Sequence, residues 1–530
     1  MRIDRIKLLF IVSFCLLILS CAQIRPLKGG EKDTVPPVAL SVYPPHLSTS
    51  FTSKQIVFYF DEYIQLNNIT QELIVSPPLA KQPKIRIKQK SLVITLDEEL
   101  LPNTTYTFNF GDGVVDLNEG NKANDLVYVF STGNSIDSLS MKGKVLDAYT
   151  MQPAVGYRVM LFESDTTITS KKSRPVYFAK TKADGSYILN YLRGGNFYLY
   201  ALNDENSNFR ADEGEHLALV ADPVSPVFND SSVTVLYVSK PRPLNPQVDS
   251  YVIDSCGYIA FKWDPYFAGL AVESINDQIS ESLILERDSA FVRFKGKPTD
   301  KVENVVVSFG KELQDTIRVP FYTSAQISSF NINSLIEKKH HIDLPLMLNV
   351  PLWARLADST YIELKRDTIA VPFRVEFSGD SGQCIISAPM EHGKDYSLSV
   401  WPGAFINESG GTNDTLKVDY STYKGQELGS LKFVFTGDQL PENSVFILTD
   451  KSEKIIFRAD PTKKDFLVID KLPAADYTAR IWVDENRNQI FDPLIPLEKK
   501  QPEKVFLFPQ TITVRANWEL NLDWKISVEE

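Results

Sequence analysis

Short runs of alternating apolar and polar residues, broken by Gly, Pro, Asn or Asp, fill most of the chain. Tyr106 to Phe110, Phe373 to Phe377 and Tyr396 to Val400 each alternate residue by residue. A period of two puts successive side chains on opposite faces, which is the pattern of half-buried antiparallel strands joined by turns. The chain therefore reads as all-β, with each domain burying its own core between two sheets. A length of 530 residues suggests three to five such domains, taking roughly 100–200 residues per domain as the prior.

The pattern also repeats. With an offset of 290, Tyr106 to Thr132 falls over Tyr396 to Thr422 without a gap. Tyr106/Tyr396, Gly113/Gly403, Gly120/Gly410, Leu126/Leu416 and the Ser131-Thr132/Ser421-Thr422 pairs are identical. A partial third echo runs from Ile259 to Tyr266. With an offset of 280, Leu192 to Asp212 falls over Leu472 to Asp492, and both copies carry Asp-Glu-Asn-x-Asn-x-x-x-Asp after an alternating strand. Two module types, each used twice around a further β segment, predict a long array of sandwiches.

Phe60 to Asn68, Ser76 to Leu79 and Leu101 to Asn121 resemble the bacterial Ig-like domain of Bacteroidota lipoproteins, a domain similar to one in S-layer proteins. The next module resembles the carboxypeptidase-regulatory or collagen-adhesin B-type fold. The resemblance lies in Gly143-Lys144-Val145, the Asp184-Gly185-Ser186-Tyr187 turn and Gly194-Gly195. It implies a transthyretin-like β-sandwich. The fold class is thus tandem Ig-like and transthyretin-like β-sandwiches, and the resemblance implies no reaction. The expected division is a leader at 1–20, a tether at 21–34 and an Ig-like domain at 35–133. A regulatory-like sandwich at 138–240 and a partial Ig-like segment at 241–322 follow. A second Ig-like domain at 323–425 and a second regulatory-like sandwich at 426–530 complete it.

The N-terminus sets an address. Arg2, Arg5 and Lys7 precede an apolar run from Leu8 to Leu19, which is shorter than the roughly 18–20 residues that span a bilayer. Leu17-Ile18-Leu19-Ser20-Cys21 resembles the lipobox of bacterial lipoproteins. That resemblance implies cleavage before Cys21, its acylation and a lipid anchor in the outer membrane. The residues after Cys21 lack the acidic cluster associated with surface export, which favours a periplasm-facing orientation. The net charge of −11 excludes a nucleic-acid partner, because phosphate recognition needs clustered Lys and Arg. Of the remaining cysteines, Cys256 and Cys384 fall in different proposed domains and are expected as buried free thiols.

The candidate chemistry lies in the repeated loops. Asp204, Asn206, Asn208 and Asp212, with Glu215 at position 12, place hard oxygens where a calcium ion takes them. Asp484, Asn486, Asn488 and Asp492 repeat the set, with Ile495 at position 12, so that loop needs help from elsewhere. Phe209 and Gln489 replace the Gly of an EF-hand, and Asx-rich loops also form simply as side-chain turns. A structural calcium is the only cofactor suggested. Ser138, Thr166, Thr316, Thr368 and Thr415 each follow Asp in a pattern similar to the Bacteroidota O-glycosylation sequon.

No catalytic residues are assigned. Gly379-Asp380-Ser381-Gly382 resembles a protease nucleophile loop, but Gln383 follows it and strands flank it, so it reads as a hairpin turn. The five histidines have no zinc spacing, and Lys338 to His341 reads as a solvated strand start. The reading is a non-catalytic envelope lipoprotein, a structural, adhesive or protein-binding scaffold for an envelope protein. The alternative is a glycan-binding accessory lipoprotein using Trp263, Trp353, Trp401 or Trp482, weighed against core packing of those rings.

Overall fold

A computed structural model describes residues 33–123, 125–164, 174–227, 233–242, 248–253, 258–263, 270–274, 279–286, 289–294, 302–309, 313–320, 329–379, 381–407, 410–463 and 466–527. The leader, Cys21, Thr166, Cys256, Asp380 and nearly all of the tether lie outside these residues.

The first domain has nine strands: β1 (Ala39–Tyr43), β2 (Gln55–Phe60), β3 (Ile64–Leu66), β4 (Ile74–Ser76), β5 (Lys84–Lys88), β6 (Ser91–Thr95), β7 (Thr105–Asn109), β8 (Val114–Asp116) and β9 (Val127–Ser131). One sheet runs β1-β2-β6-β5, the facing one β4-β7-β9, and β3 and β8 form a ribbon. The period of two sends Ile56, Phe58 and Phe60 of β2 inward to meet Leu92 and Ile94 of β6. Phe58 stands edge-on to Phe110 at 5.5 Å, a geometry that suits the ring quadrupoles.

The second domain adds β10 (Leu139–Asp147), β11 (Arg158–Phe162), β12 (Tyr177–Lys180), β13 (Ser186–Leu192), β14 (Tyr198–Leu202), β15 (Leu217–Leu219) and β16 (Thr234–Val238). Its sheets run β13-β10-β16 and β12-β11-β14-β15. The first and last strands pair in parallel, Gly143 opposite Thr234. The fifth domain repeats this closure, pairing Leu428–Gly437 in parallel with Glu519–Ile526. Between the pairs, the described residues from Val248 to Pro320 form seven strands in sheets of four and three, with Phe261 and Trp263 buried.

The repeat is visible bond by bond. The Tyr106 hydroxyl accepts the Leu101 N–H at 2.9 Å, and 290 residues later Tyr396 accepts the Glu391 N–H at 2.8 Å. Thr132 and Thr422 each donate their hydroxyl to the matching carbonyl, Leu101 and Glu391, at 2.6 Å. Tyr106 stacks on Phe130 at 5.4 Å as Tyr396 stacks on Tyr420 at 5.5 Å.

Two expectations change. His340 is not solvated: it is 8% exposed, bonds the Leu344 carbonyl through Nε2 at 3.0 Å and meets Tyr420 edge-on. The chain is also not a simple linear array, because the fifth domain packs back on the second. Tyr149 and Met151 share an apolar cluster with Ile447, Trp482 and Val505. Cys384 is a buried free thiol, pushed up to about 11 by burial. Gly379, Ser381 and Gly382 form the turn between Arg374–Ser378 and Gln383–Ser387.

The parallel closure makes Gly143 obligatory. A Cβ there would lie 2.0 Å from the Thr234 carbonyl and 2.5 Å from the Tyr187 hydroxyl. Gly143→Ala is therefore expected to destabilise the second domain by about 3 kcal/mol, read as a lower urea midpoint with unchanged slope.

Candidate functional site: paired Asx loops at the domain joints

In both loops one aspartate organises the backbone. Asp204 ends the run from β14, and its Oδ1 accepts the Asn208 N–H at 2.9 Å while Oδ2 accepts that of Phe209 at 2.9 Å. Asp484 repeats this with Asn488 at 2.9 Å and Gln489 at 2.7 Å. Short Asx side chains compete with regular structure by offering such local acceptors. Two residues per loop take positive φ, Ser207 and Phe209 at 60° and 61°, Arg487 and Gln489 at 60° and 62°. Asn206 and Asn208 turn their amide nitrogens to Asp212 at 2.6 and 2.7 Å. Asn486 and Asn488 do the same to Asp492 at 2.6 and 2.9 Å.

A glutamate closes each loop from behind. Glu215 accepts the Glu205 N–H at 3.1 Å and the Asp212 N–H at 3.0 Å, one on each oxygen. The second loop's equivalent is Glu503, which accepts the Glu485 N–H at 2.8 Å and the Asp492 N–H at 2.9 Å. A gapless overlay hides Glu503, because Glu215 lies three residues after Asp212 and Glu503 eleven after Asp492. The eight extra residues carry a hairpin, and its signal in the sequence is the Pro493 and Pro496 pair between the two acids.

Each loop is tied to another domain by an arginine. Arg158 of β11 donates to Asp204 at 2.8 Å, to Ser207 Oγ at 2.8 Å and to Glu72 of the first domain at 2.8 Å, over the Phe209 ring. All three charged side chains are at least 97% buried. Arg242, just beyond the second domain's last strand, pairs with Asp492 at 2.5 Å. The inserted hairpin then reaches the second domain. Leu494 is fully buried in a cluster with Met160, Phe162 and Leu217, and its N–H donates to Ser239 Oγ at 2.9 Å. Gln501 and Lys499 donate to the Leu219 and Ala221 carbonyls at 3.0 and 3.3 Å.

The chemistry of the donors suits calcium, with hard oxygens on Asp204, Asn206, Asn208 and Asp212 and on their counterparts. Glu215 does not act as the bidentate position-12 ligand here, since both oxygens face backbone N–H groups. Among the described residues no group of three or more His, Cys, Asp or Glu side chains is arranged to hold a metal ion. Ser138, Thr368 and Thr415 are exposed, while Thr316 lies in Leu313–Pro320. Of the tryptophans, Trp263 and Trp482 are buried, Trp353 packs edge-on against Phe330, and Trp401 is 44% exposed.

Residues 33–132 match the family model of the bacterial Ig-like domain, Big_5. No curated protein matches the chain. Among solved structures, the Bacillus anthracis TIE protein is 9% identical over 94% of this chain and 76% of its own, with a TM-score of 0.16. BcpA, the major pilin subunit of Bacillus cereus, is 10% identical over 73% and 99%, with a TM-score of 0.14. The Bacteroides ovatus mixed-linkage glucan utilization locus protein SGBP-B, solved with a mixed-linkage heptasaccharide, is 9% identical over 71% and 94%, with a TM-score of 0.21.

Burial, followed by the nearby Asp492 and Asp484 charges, pushes the Glu503 carboxyl up to about 7. The folded state then keeps a proton that the unfolded chain releases near its ordinary value of 4.5. Stability from this group is present below pH 4.5 and falls as pH rises to about 7. Glu503→Gln, which cannot ionise, is expected to flatten the loss of melting temperature between pH 5 and 7.5. Parallel curves for the two proteins would assign the slope to other groups.

Proposed function

We propose that this chain is a non-catalytic envelope lipoprotein, held at the outer membrane by acyl chains on Cys21, whose sandwiches form a braced scaffold for another envelope component. The observation that carries the reading is the Leu494 hairpin, which with Arg242 ties the fifth domain to the second. An enzyme site needs convergent acid–base groups, whereas the buried Glu72–Arg158 and Arg242–Asp492 pairs here join domains to one another. The regulatory-like assignment of the second and fifth domains fits their parallel closure. A periplasm-facing orientation fits the absence of an acidic run after Cys21.

The test uses the full chain on its native anchor, crosslinked in cells and recovered by a tag. One stoichiometric envelope protein is the expected product. Leu494→Asp puts a charge into a fully buried site, and it is expected to leave the individual domains folded. It should raise the radius of gyration in small-angle scattering and lose that partner. Recovery of lipid and glycan alone, with wild type and variant alike, would overturn the scaffold reading.

Structural calcium belongs to the same proposal, with Asp204, Asn206, Asn208 and Asp212 as one set and Asp484, Asn486, Asn488 and Asp492 as the other. To bind, the asparagines must turn their oxygens toward the aspartates. Chelation by EDTA is then expected to lower the melting temperature by several degrees. An unchanged melt would mean that the hydrogen bonds hold the loops alone.

A further inference from the structure

A cleft of about 460 Å³ lies between the first and second domains, inside the range of roughly 300–1,000 Å³ typical of ligand sites. Its first wall is β4 and β7, and its second is β12 and β13. Each of β4, β12 and β13 is the outer strand of its sheet. The walls are pinned rather than loosely apposed. Asn109 Nδ2 donates to the Phe178 carbonyl at 2.9 Å, Lys180 pairs with Asp112, and Ile74 shares a buried cluster with Phe178. The Glu72–Arg158 pair holds the same two domains together.

The lining offers hydrogen-bonding groups without net charge. The lining's two carboxylates, Asp112 and Asp125, are matched in number by its two lysines, Lys180 and Lys182, and Asp112 pairs with Lys180 and with Lys122 beside the cleft. Thr107 is 8% exposed and its hydroxyl has no hydrogen-bond partner in the protein. A buried hydroxyl left without a partner is costly, so the cleft side is where one must come from. His46 Nδ1 accepts the Val129 N–H at 3.2 Å, which leaves the ring proton on Nε2. The residue is exposed, and partial desolvation shifts its imidazole downward, toward the neutral form that donates through Nε2.

The lining also carries a ring in a strained setting. Tyr191 has φ of 59° inside β13, a conformation uncommon outside glycine, and stands edge-on to His46 at 6.3 Å. Asn190 and Ile188 beside it are exposed. Uncharged donors and acceptors interleaved with an aromatic ring and an apolar side chain match one ligand chemistry, hydroxyls alternating with C–H faces.

We propose that this cleft binds a neutral oligosaccharide, with Tyr191 as the stacking platform and Asn190, Thr107 and His46 as hydrogen-bonding groups. The site gives the glycan-binding alternative a location away from the tryptophans, and it is independent of the Leu494 clamp that carries the scaffold reading.

The test is titration of the full mature chain with cellohexaose, xylohexaose, mannohexaose and the N-acetylglucosamine hexamer, alongside polygalacturonate oligomers and an alternating Val-Thr decapeptide. At least one neutral hexamer is expected to bind. Tyr191→Gly removes the ring while suiting the positive φ, so the variant should fold, and it should weaken binding tenfold or more. Asn190→Ala should weaken it severalfold, and Trp401→Ala not at all. Binding of no neutral sugar, or binding indifferent to Tyr191→Gly and Asn190→Ala, overturns the assignment. So does binding confined to the acidic oligomers or to the decapeptide. A clamp that fails in scattering while the sugar still binds would count against the scaffold alone.

Discussion

The arrangement of this chain depends on a carboxylate that accepts the N–H groups of its own loop. A sandwich domain buries one core and leaves its end loops to solvent, where backbone donors have no ladder to join. Asp204 and Asp484 satisfy two such donors each, and Glu215 and Glu503 satisfy two more from behind. The result is a loop rigid enough to be packed against. Only then can a guanidinium or an apolar hairpin use it as a joint.

Duplication supplied the loop twice, and the two copies were fastened differently. In the first, Arg158 comes from within the same domain and carries the connection outward to Glu72. In the second, the arginine belongs to the connection after the second domain, and the loop has grown a hairpin that buries Leu494 among foreign residues. A buried ion triad is weak evidence for net stability, since desolvation offsets much of the attraction. Its value lies in geometry: removing one member leaves charges stranded, so the three sites must move together. That makes the first joint a fixed angle, and the cleft beside it inherits a fixed width.

What could be read beforehand follows from the range of each interaction. Alternation in β7 is local, and it gave both the strand and the inward faces of Tyr106 and Phe108. The two offsets were legible because Tyr106/Tyr396 and Asp204/Asp484 hold equivalent bonds, so the same residues were kept. Glu503 escaped because the inserted hairpin moved it out of register while leaving its role intact. Arg158 escaped because it sits in an otherwise apolar strand, Arg-Val-Met-Leu-Phe, where a single charge looks like an outward position and is in fact buried. His340 was misread for the converse reason, two lysines beside it suggesting solvent. The return of the fifth domain to the second left no local trace at all.

That return also has a particular energetic character. Arg242 and Asp492 are 250 positions apart, and a flexible loop of that length closes at an entropic cost that grows only as the logarithm of its size. Once the intervening domains have folded, most of that freedom is already gone, and the clamp has only rigid bodies to orient. Contacts within one chain act at a high effective concentration, so a modest interface is enough to keep them closed. The Leu494 hairpin, with one buried leucine and three hydrogen bonds to the second domain, is of that modest size. It contributes little to the stability of either sandwich and much to their relative orientation, which is the property a scaffold requires.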